Sequence, residues 1–356
     1  MTEGGAAWRD EVNKIVKEIY PDKEITAYNA GKGGTCSDYG AARFAEDVAQ
    51  YSPDLVVVDF AVNDYNFGQN ETNNKVYMDS IVQQCLSLPK IPAVIFLNAP
   101  FPEEDSSSDK AVKAQQVVAW KNEVADYYGI TKVNVYDYML ADYEANKATA
   151  GYADFGAYLT ACGYNMETKD VHAGYAKYAE AIRAVYQQNP SKFLSVPTKK
   201  AAFLNDERTA YRYSYILANS QHIEYTGDWT LYTNDNKFNS TASDELIPDR
   251  HYLYPYFLNG VMQTKANGTE FTFKTTAAAF TMNHIASTMG RGADVYIDGK
   301  KSATITCYSE WGRMNYISSW VTLPKDGQEH TVTIKVNDAT ADKTVFRFGE
   351  IILRNN

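Results

Sequence analysis

The chain has no excess of basic residues: 34 Lys and Arg stand against 44 Asp and Glu, a formal net charge of −10. Nucleic acid and anionic membrane surfaces are held by basic patches, so this balance argues against both as partners. A neutral, hydrated partner such as a carbohydrate stays compatible with it. No apolar run reaches the 18 residues that a membrane-spanning helix needs. No signal-peptide pattern opens the chain, but its amino terminus reads as incomplete, so that absence excludes nothing and leaves an extracellular or a cytoplasmic address open. The four cysteines (Cys36, Cys85, Cys162, Cys307) make no CxxC pair and no metal-ligand spacing. They read as isolated buried thiols before they read as two disulfides, given the cores available. No metal or organic cofactor is implied. Internal repeats and low-complexity tracts are missing as well.

What is present is enough for two cored domains. The chain has 356 residues, 45% of them hydrophobic, which suits two domains of roughly 150–200 residues each. Tyr is abundant, with 28 residues; aromatic faces suit sugar rings, although most aromatics in any domain serve its core.

The first half alternates helix-like and strand-like patterns. Residues 8–20 (WRDEVNKIVKEIY) have helical spacing and end at Pro21. A short strand is expected over 24–30 (EITAYNA), leading into the glycine-rich turn GKGG, and a helical pattern over 39–51. The run DLVVVDFAV (54–62) has the near-continuous apolar character of a strand covered on both faces. A helix over 74–88, a strand over 93–100, a long helix over 110–128, a strand over 132–138 and a last helix over 173–188 complete the alternation. This rhythm predicts an α/β domain over 1–190 with a parallel sheet. After Pro190 the βα alternation stops. Runs such as FTFKT (271–275), AFTMNHI (279–285) and HTVTIKV (330–336), with Asp-Gly turns at 298–299 and 326–327, predict an antiparallel β-sandwich, a jelly roll, over 196–356.

Three segments could carry chemistry. The stretch Asn29 to Ser37 (NAGKGGTCS) lets the backbone turn tightly and present N–H groups to an anion, although an ordinary strand-to-helix turn has the same composition. Asn63-Asp64 closes the run DLVVVDFAVND, beyond the carboxyl end of a strand where ligands of parallel sheets bind; an Asx cap is the plainer interpretation. Lys169-Asp170-Val171-His172 stands at the start of the last helix, where a histidine with a nearby acid can act as general base or simply cap the helix. The acidic run Glu103-Glu104-Asp105 reads most simply as a solvated loop.

In order and spacing the three segments resemble the Ser-Gly-Asn-His (SGNH, or GDSL-like) hydrolase superfamily. NAGKGGTCSDYGAARFAEDVAQYSPDLVVVDFAVND looks like the family's second and third sequence blocks, and DVH with its helix looks like the fifth. The resemblance covers about residues 1–188. The sandwich more loosely resembles the accessory domain of two-domain carbohydrate esterases, through ADVYIDGK and EHTVTIKV. It implies a flavodoxin-like three-layer domain and a serine esterase that removes acetyl or other small acyl groups from a carbohydrate. Gly34 and Asn63 would line the oxyanion hole, His172 would be the base and Asp170 its orienting partner.

Several positions depart from the family pattern. Met1 to Gly4 read Met-Thr-Glu-Gly, where the family places the nucleophilic serine immediately upstream of such a segment. The nucleophile is therefore expected just before Met1, together with a central first strand, either because the chain starts at an internal methionine or because the natural protein lacks the serine. A gap is then expected between the strands at 24–30 and 54–62, for a neighbouring chain or a shifted strand to fill. Ser37 is read as a cap of the following helix, not as a replacement nucleophile. Lys169 stands where the family has its aspartate, Ala61 where a glycine is usual, and Ala173 where a proline is usual. The resemblance leaves two further functions open: a non-catalytic carbohydrate-binding protein on the same scaffold, and a thioesterase or lysophospholipase using the same residues.

Overall fold

The structure is a computed structural model, described here for residues 6–32, 34–99, 107–164, 175–203, 213–232, 260–310 and 314–355. The chain divides into two compact units, Met1–Ala210 and Tyr211–Asn356.

The first unit is an α/β layer structure. Helices α1 (Ala6–Ile19), α2 (Ser37–Ala42) and α3 (Phe44–Asp47) precede strand β1 (Leu55–Val58). Then come α4 (Ala61–Asn66), α5 (Glu71–Leu86), β2 (Ala93–Asn98), α6 (Asp109–Tyr128) and β3 (Thr131–Asn134). Helices α7 (Val135–Ala150), α8 (Phe155–Ala161) and α9 (Tyr175–Gln188) follow. The three strands pair in parallel in the order β1-β2-β3, with Leu55 opposite Ala93 and Ile95 opposite Thr131. Every residue of β2 is buried, as expected for the centre of a sheet covered on both faces. On one face Trp8, Val12 and Ile15 of α1 and Tyr178, Ala181 and Ile182 of α9 close over Ile95, Leu97 and Val133. Helix α6 packs against β2 and β3 and also meets α4 and α5.

Three local expectations are corrected. Residues 24–30 form no strand; they are largely exposed and pair with no strand among the described residues, so the alternation in EITAYNA has no sheet to complete. Of the expected gap, only one wall is therefore described: β1, which among the described residues pairs with β2 alone. The 39–51 pattern resolves into two short helices and a 3-10 turn rather than one helix. The strand expected over 132–138 ends at Asn134, because Val135, Tyr136 and Met139 bury at helical spacing in α7. The four cysteines are free thiols, all buried except the half-buried Cys162.

In the second unit the strands of the described residues pair antiparallel, with two isolated parallel bridges beside them. One sheet orders β11-β10-β14-β8-β5, from Lys300–Ile305, Ala293–Ile297, His330–Val336, Glu270–Thr275 and Glu224–Thr226. The other orders β12-β9-β15-β7-β6, from Met314–Ile317, Ala279–Ala286, Phe346–Arg354, Val261–Thr264 and Thr230–Tyr232; β13 (Val321–Thr322) adds to β9 and β4 (Tyr213–Leu217) to β15. Phe271 and Phe348, one from each sheet, stack with centroids 4.3 Å apart in the shared core. The hairpin read from Asp298-Gly299 is present: both residues have positive φ (50° and 79°), as a type I′ turn requires.

That turn is tied to the next Asp-Gly turn by His330. Its Nδ1 lies 2.7 Å from Asp298 Oδ2 and its Nε2 3.1 Å from Asp326 Oδ1. Hydrogen bonding to Asp298, then to Asp326, holds the imidazole above its usual range. Asp298 is lowered chiefly by His330; Asp326 is lowered first by the Gln328 N–H and then by His330. A raised imidazole contributes stability below its unfolded value near 6.5 and loses it as pH rises through the folded value. Lowered carboxylates contribute above about 3.8 and lose it as pH falls. The clamp therefore works best between about pH 4 and 6.5. Thermal melts should show His330→Gln less stable than the parent at about pH 5.5, with the difference shrinking by about pH 8.5. A difference that does not change with pH would contradict the ion-paired clamp.

Candidate active site

The site is built where α2 and α4 begin. Gly34 has φ +75°, the left-handed region that favours glycine, and it turns the chain into α2. Gly40 lets α2 lie directly on Phe60, the residue before α4: a Cβ there would stand 2.3 Å from Phe60 Cζ. With the two helix starts so close, Asn63 Nδ2 donates to the Thr35 carbonyl at 2.7 Å. An amide nitrogen carries two hydrogens, so the Asn63 side chain keeps one for a ligand. The Gly34 N–H has no acceptor among the described residues. Gly34 and Asn63, read from separate blocks of sequence, are thus brought together as neighbouring donors.

Asp64 fastens this arrangement from below. It is fully buried; its Oδ1 accepts the Ser37 N–H at 2.8 Å, and its Oδ2 accepts from Asn74 Nδ2 at 3.1 Å and Lys121 Nζ at 2.6 Å. Lys121 is fully buried too. One carboxylate therefore joins α2, α4, α5 and α6. Asn63 is not an Asx cap: it lies inside α4, whose cap residue Phe60 makes no side-chain cap bond. It is Asp64 that caps, and across sequence, at the first residue of α2.

Ser37 does not cap by its side chain. It is the first residue of α2, after the cap residue Cys36, and its Oγ is buried with no hydrogen-bond partner. A hydroxyl so enclosed cannot meet a substrate. The Cys36 thiol is excluded as well, since burial and then the Asp64 charge push its pKa up and the thiolate is the reactive form. Two half-buried carboxyls flank the site. Burial, then the charge of Asp64, raises Asp38 to about 6. Burial raises Asp59 to about 7 against the opposing pull of nearby positive charge, Lys121 included. Asp170 and His172 lie outside the described residues, as do Lys169, Ala173 and the acidic run 103–105. Among the described residues no group of His, Cys, Asp and Glu could hold a metal ion, and no helix is long and apolar enough to cross a membrane.

Residues 2–166 match the GDSL-like Lipase/Acylhydrolase family. No curated protein matches the sequence significantly. Among solved structures, a two-domain esterase (CEX) active on acetylated mannans, co-crystallised with mannopentaose, aligns over 98% of this chain and 85% of its own, with TM-score 0.68 and 17% identity. A second structure of a two-domain esterase (CEX) active on acetylated mannans aligns over 97% and 84%, with TM-score 0.67 and 16% identity. Likeness at this identity establishes the fold of both units, and the family match falls on the segment that carries Gly34, Asn63 and Asp64. Residues 2–166 are thus similar to the GDSL-like lipase/acylhydrolase family, and the whole chain shares the two-unit fold of these solved structures.

Proposed function

We propose that this protein is an SGNH-type serine esterase that removes acetyl or other small acyl groups from a carbohydrate. The observation that carries it is the paired donor site: the Gly34 N–H, without an acceptor among the described residues, beside an Asn63 amide fixed on the Thr35 carbonyl. Donors held in place before charge develops are what an acyl-transfer oxyanion needs. The likeness to an esterase active on acetylated mannans supports the choice of substrate class.

In the proposed reaction a serine hydroxyl attacks the ester carbonyl and His172 takes its proton. The tetrahedral oxyanion accepts hydrogen bonds from Gly34 and Asn63. His172 then gives the proton to the departing sugar oxygen, and water repeats the sequence to free the acid and the serine. Asp170 orients the imidazole. Ser37 is enclosed and Cys36 is held as a thiol, so neither suits the role of nucleophile.

The test compares this chain with a form extended by a strand ending in Gly-Gly-Ser before Met1, on p-nitrophenyl acetate and on acetylated mannan. Turnover in the extended form alone, lost again in its His172→Ala variant with glycan affinity kept, is the expected result. Two folded proteins, both inactive on both substrates, would overturn the esterase assignment in favour of a carbohydrate-binding protein on this scaffold.

A further inference from the structure

Resting on that esterase reading, we infer that Phe67 forms an aromatic subsite beside the oxyanion donors, on which a neutral pyranose ring of the substrate stacks. An exposed aromatic ring needs no explanation by itself; the place and the rigidity of this one set it apart. Phe67 is 59% exposed and makes no ring contact among the described residues. By contrast, the still more exposed Tyr28 is stacked on Tyr51, with centroids 4.0 Å apart.

Phe67 follows Asn63 by one helical turn. Its N–H donates to the Asn63 carbonyl at 2.9 Å, so the two side chains rise on the same side of α4. Helical side chains lean back over the preceding turn, which for Phe67 is the turn that carries Asn63. The loop that follows is pinned at several points. Gly68, with φ +66°, donates to the Tyr65 carbonyl at 3.1 Å, and Gln69 N–H donates to the Asp64 carbonyl at 2.9 Å. Asn70 then caps α5 by accepting from the Asn73 N–H at 2.9 Å. A backbone held this firmly fixes where the uncovered ring stands, so little chain entropy is lost when a flat apolar partner settles on it.

The surroundings select the partner. The chain as a whole carries a net charge of −10, which disfavours an acidic sugar. A neutral pyranose offers an apolar C–H face for the ring and hydroxyl groups for the polar rim, and an ester on such a sugar would reach the donors one helical turn away.

The test is a Phe67→Ala exchange in the full chain, read in two ways. Calorimetric titration with mannopentaose and with xylopentaose needs no catalysis. The better ligand should weaken about tenfold on the exchange, the loss expected for roughly one well-stacked aromatic contact, while Phe67→Trp keeps or tightens the Kd. In the serine-extended form, KM for acetylated manno-oligosaccharide should rise by a similar factor while turnover of p-nitrophenyl acetate, which has no sugar, stays within about twofold. An unchanged Kd, or no binding of either sugar by the parent chain, overturns the subsite. Loss of p-nitrophenyl acetate turnover in every form would instead overturn the esterase assignment, leaving the titration to decide on Phe67.

Discussion

Replacing Lys121 with methionine is expected to destabilise the first unit by about 3–5 kcal/mol, the usual consequence of removing one partner of a buried ion pair. Lys121 and Asp64 are both 0% exposed and lie 2.6 Å apart. The cost comes less from the lost attraction than from the carboxylate left behind without its counter-charge. Asp64 would keep the Ser37 N–H and the Asn74 amide, but two neutral donors do not balance a full buried charge. Asp64→Asn should also destabilise, by stranding the Lys121 ammonium. The double variant Lys121→Met, Asp64→Asn should then lose clearly less than the sum of the two, because neither charge is stranded. Urea unfolding followed by far-UV circular dichroism, which reports helices and hence the first unit, measures all three. A Lys121→Met change below about 1 kcal/mol would place the pair among solvated ones and remove it as the brace of the site.

That brace was partly legible in the sequence. Helix α6 buries Ala111, Ala114, Val117, Val118, Val124, Ala125 and Tyr128, and Lys121 falls on the same stripe. A lysine at a core position of an amphipathic helix predicts a buried acid opposite it. What the pattern could not name was the acid, because the partner lies 57 residues away in sequence. The strand at 93–98, the helix at 110–128 and the hairpin at Asp298-Gly299 were readable because apolar spacing and turn chemistry are local, whereas the run 54–62 is a strand only to Val58 and turns into helix α4 at Ala61. The failures have a common origin. EITAYNA alternates like a strand, but a strand exists only if another offers it hydrogen bonds. KVNVYDY has strand composition, yet Val135, Tyr136 and Met139 sit one turn apart, and packing decided for a helix there. Gly34 and Asn63 were singled out through family spacing; the hydrogen bond that brings Asn63 to the Thr35 carbonyl beside Gly34 is tertiary. Ser37 was misread because a serine at a helix start is a good cap in general, whereas here Cys36 is the cap residue and the Tyr39 and Gly40 N–H groups that a Ser37 cap would serve are held by Asp38 and the Cys36 carbonyl. The buried polar face of the sandwich, with Arg347 on Gln263 at 2.7 Å and Asn283 on Glu350 at 2.8 Å, left no pattern in the sequence, since in alternating strands polar residues are expected to face water.

The second large effect concerns Asn63. In the serine-bearing form, Asn63→Ala should lower kcat by about 10²–10³-fold, the usual loss for one oxyanion donor, with KM changed only a few-fold. The split follows from when the bond matters: a donor aimed at the oxyanion strengthens as the carbonyl becomes tetrahedral, so its loss falls on the transition state rather than on ground-state binding. The same exchange also frees the Thr35 carbonyl, which Asn63 Nδ2 now holds at 2.7 Å. That structural part is worth only about 1 kcal/mol, as for an ordinary hydrogen bond, and urea unfolding should register no more than that. Asn63→Asp keeps the shape but replaces a donor with a carboxylate, which repels the developing charge. It should be at least as damaging to kcat as alanine. Steady-state kinetics of both variants on p-nitrophenyl acetate, beside their unfolding curves, separate the two contributions. A fall in kcat under about fivefold in both would mean that Asn63 serves the fold alone and that the oxyanion is stabilised elsewhere.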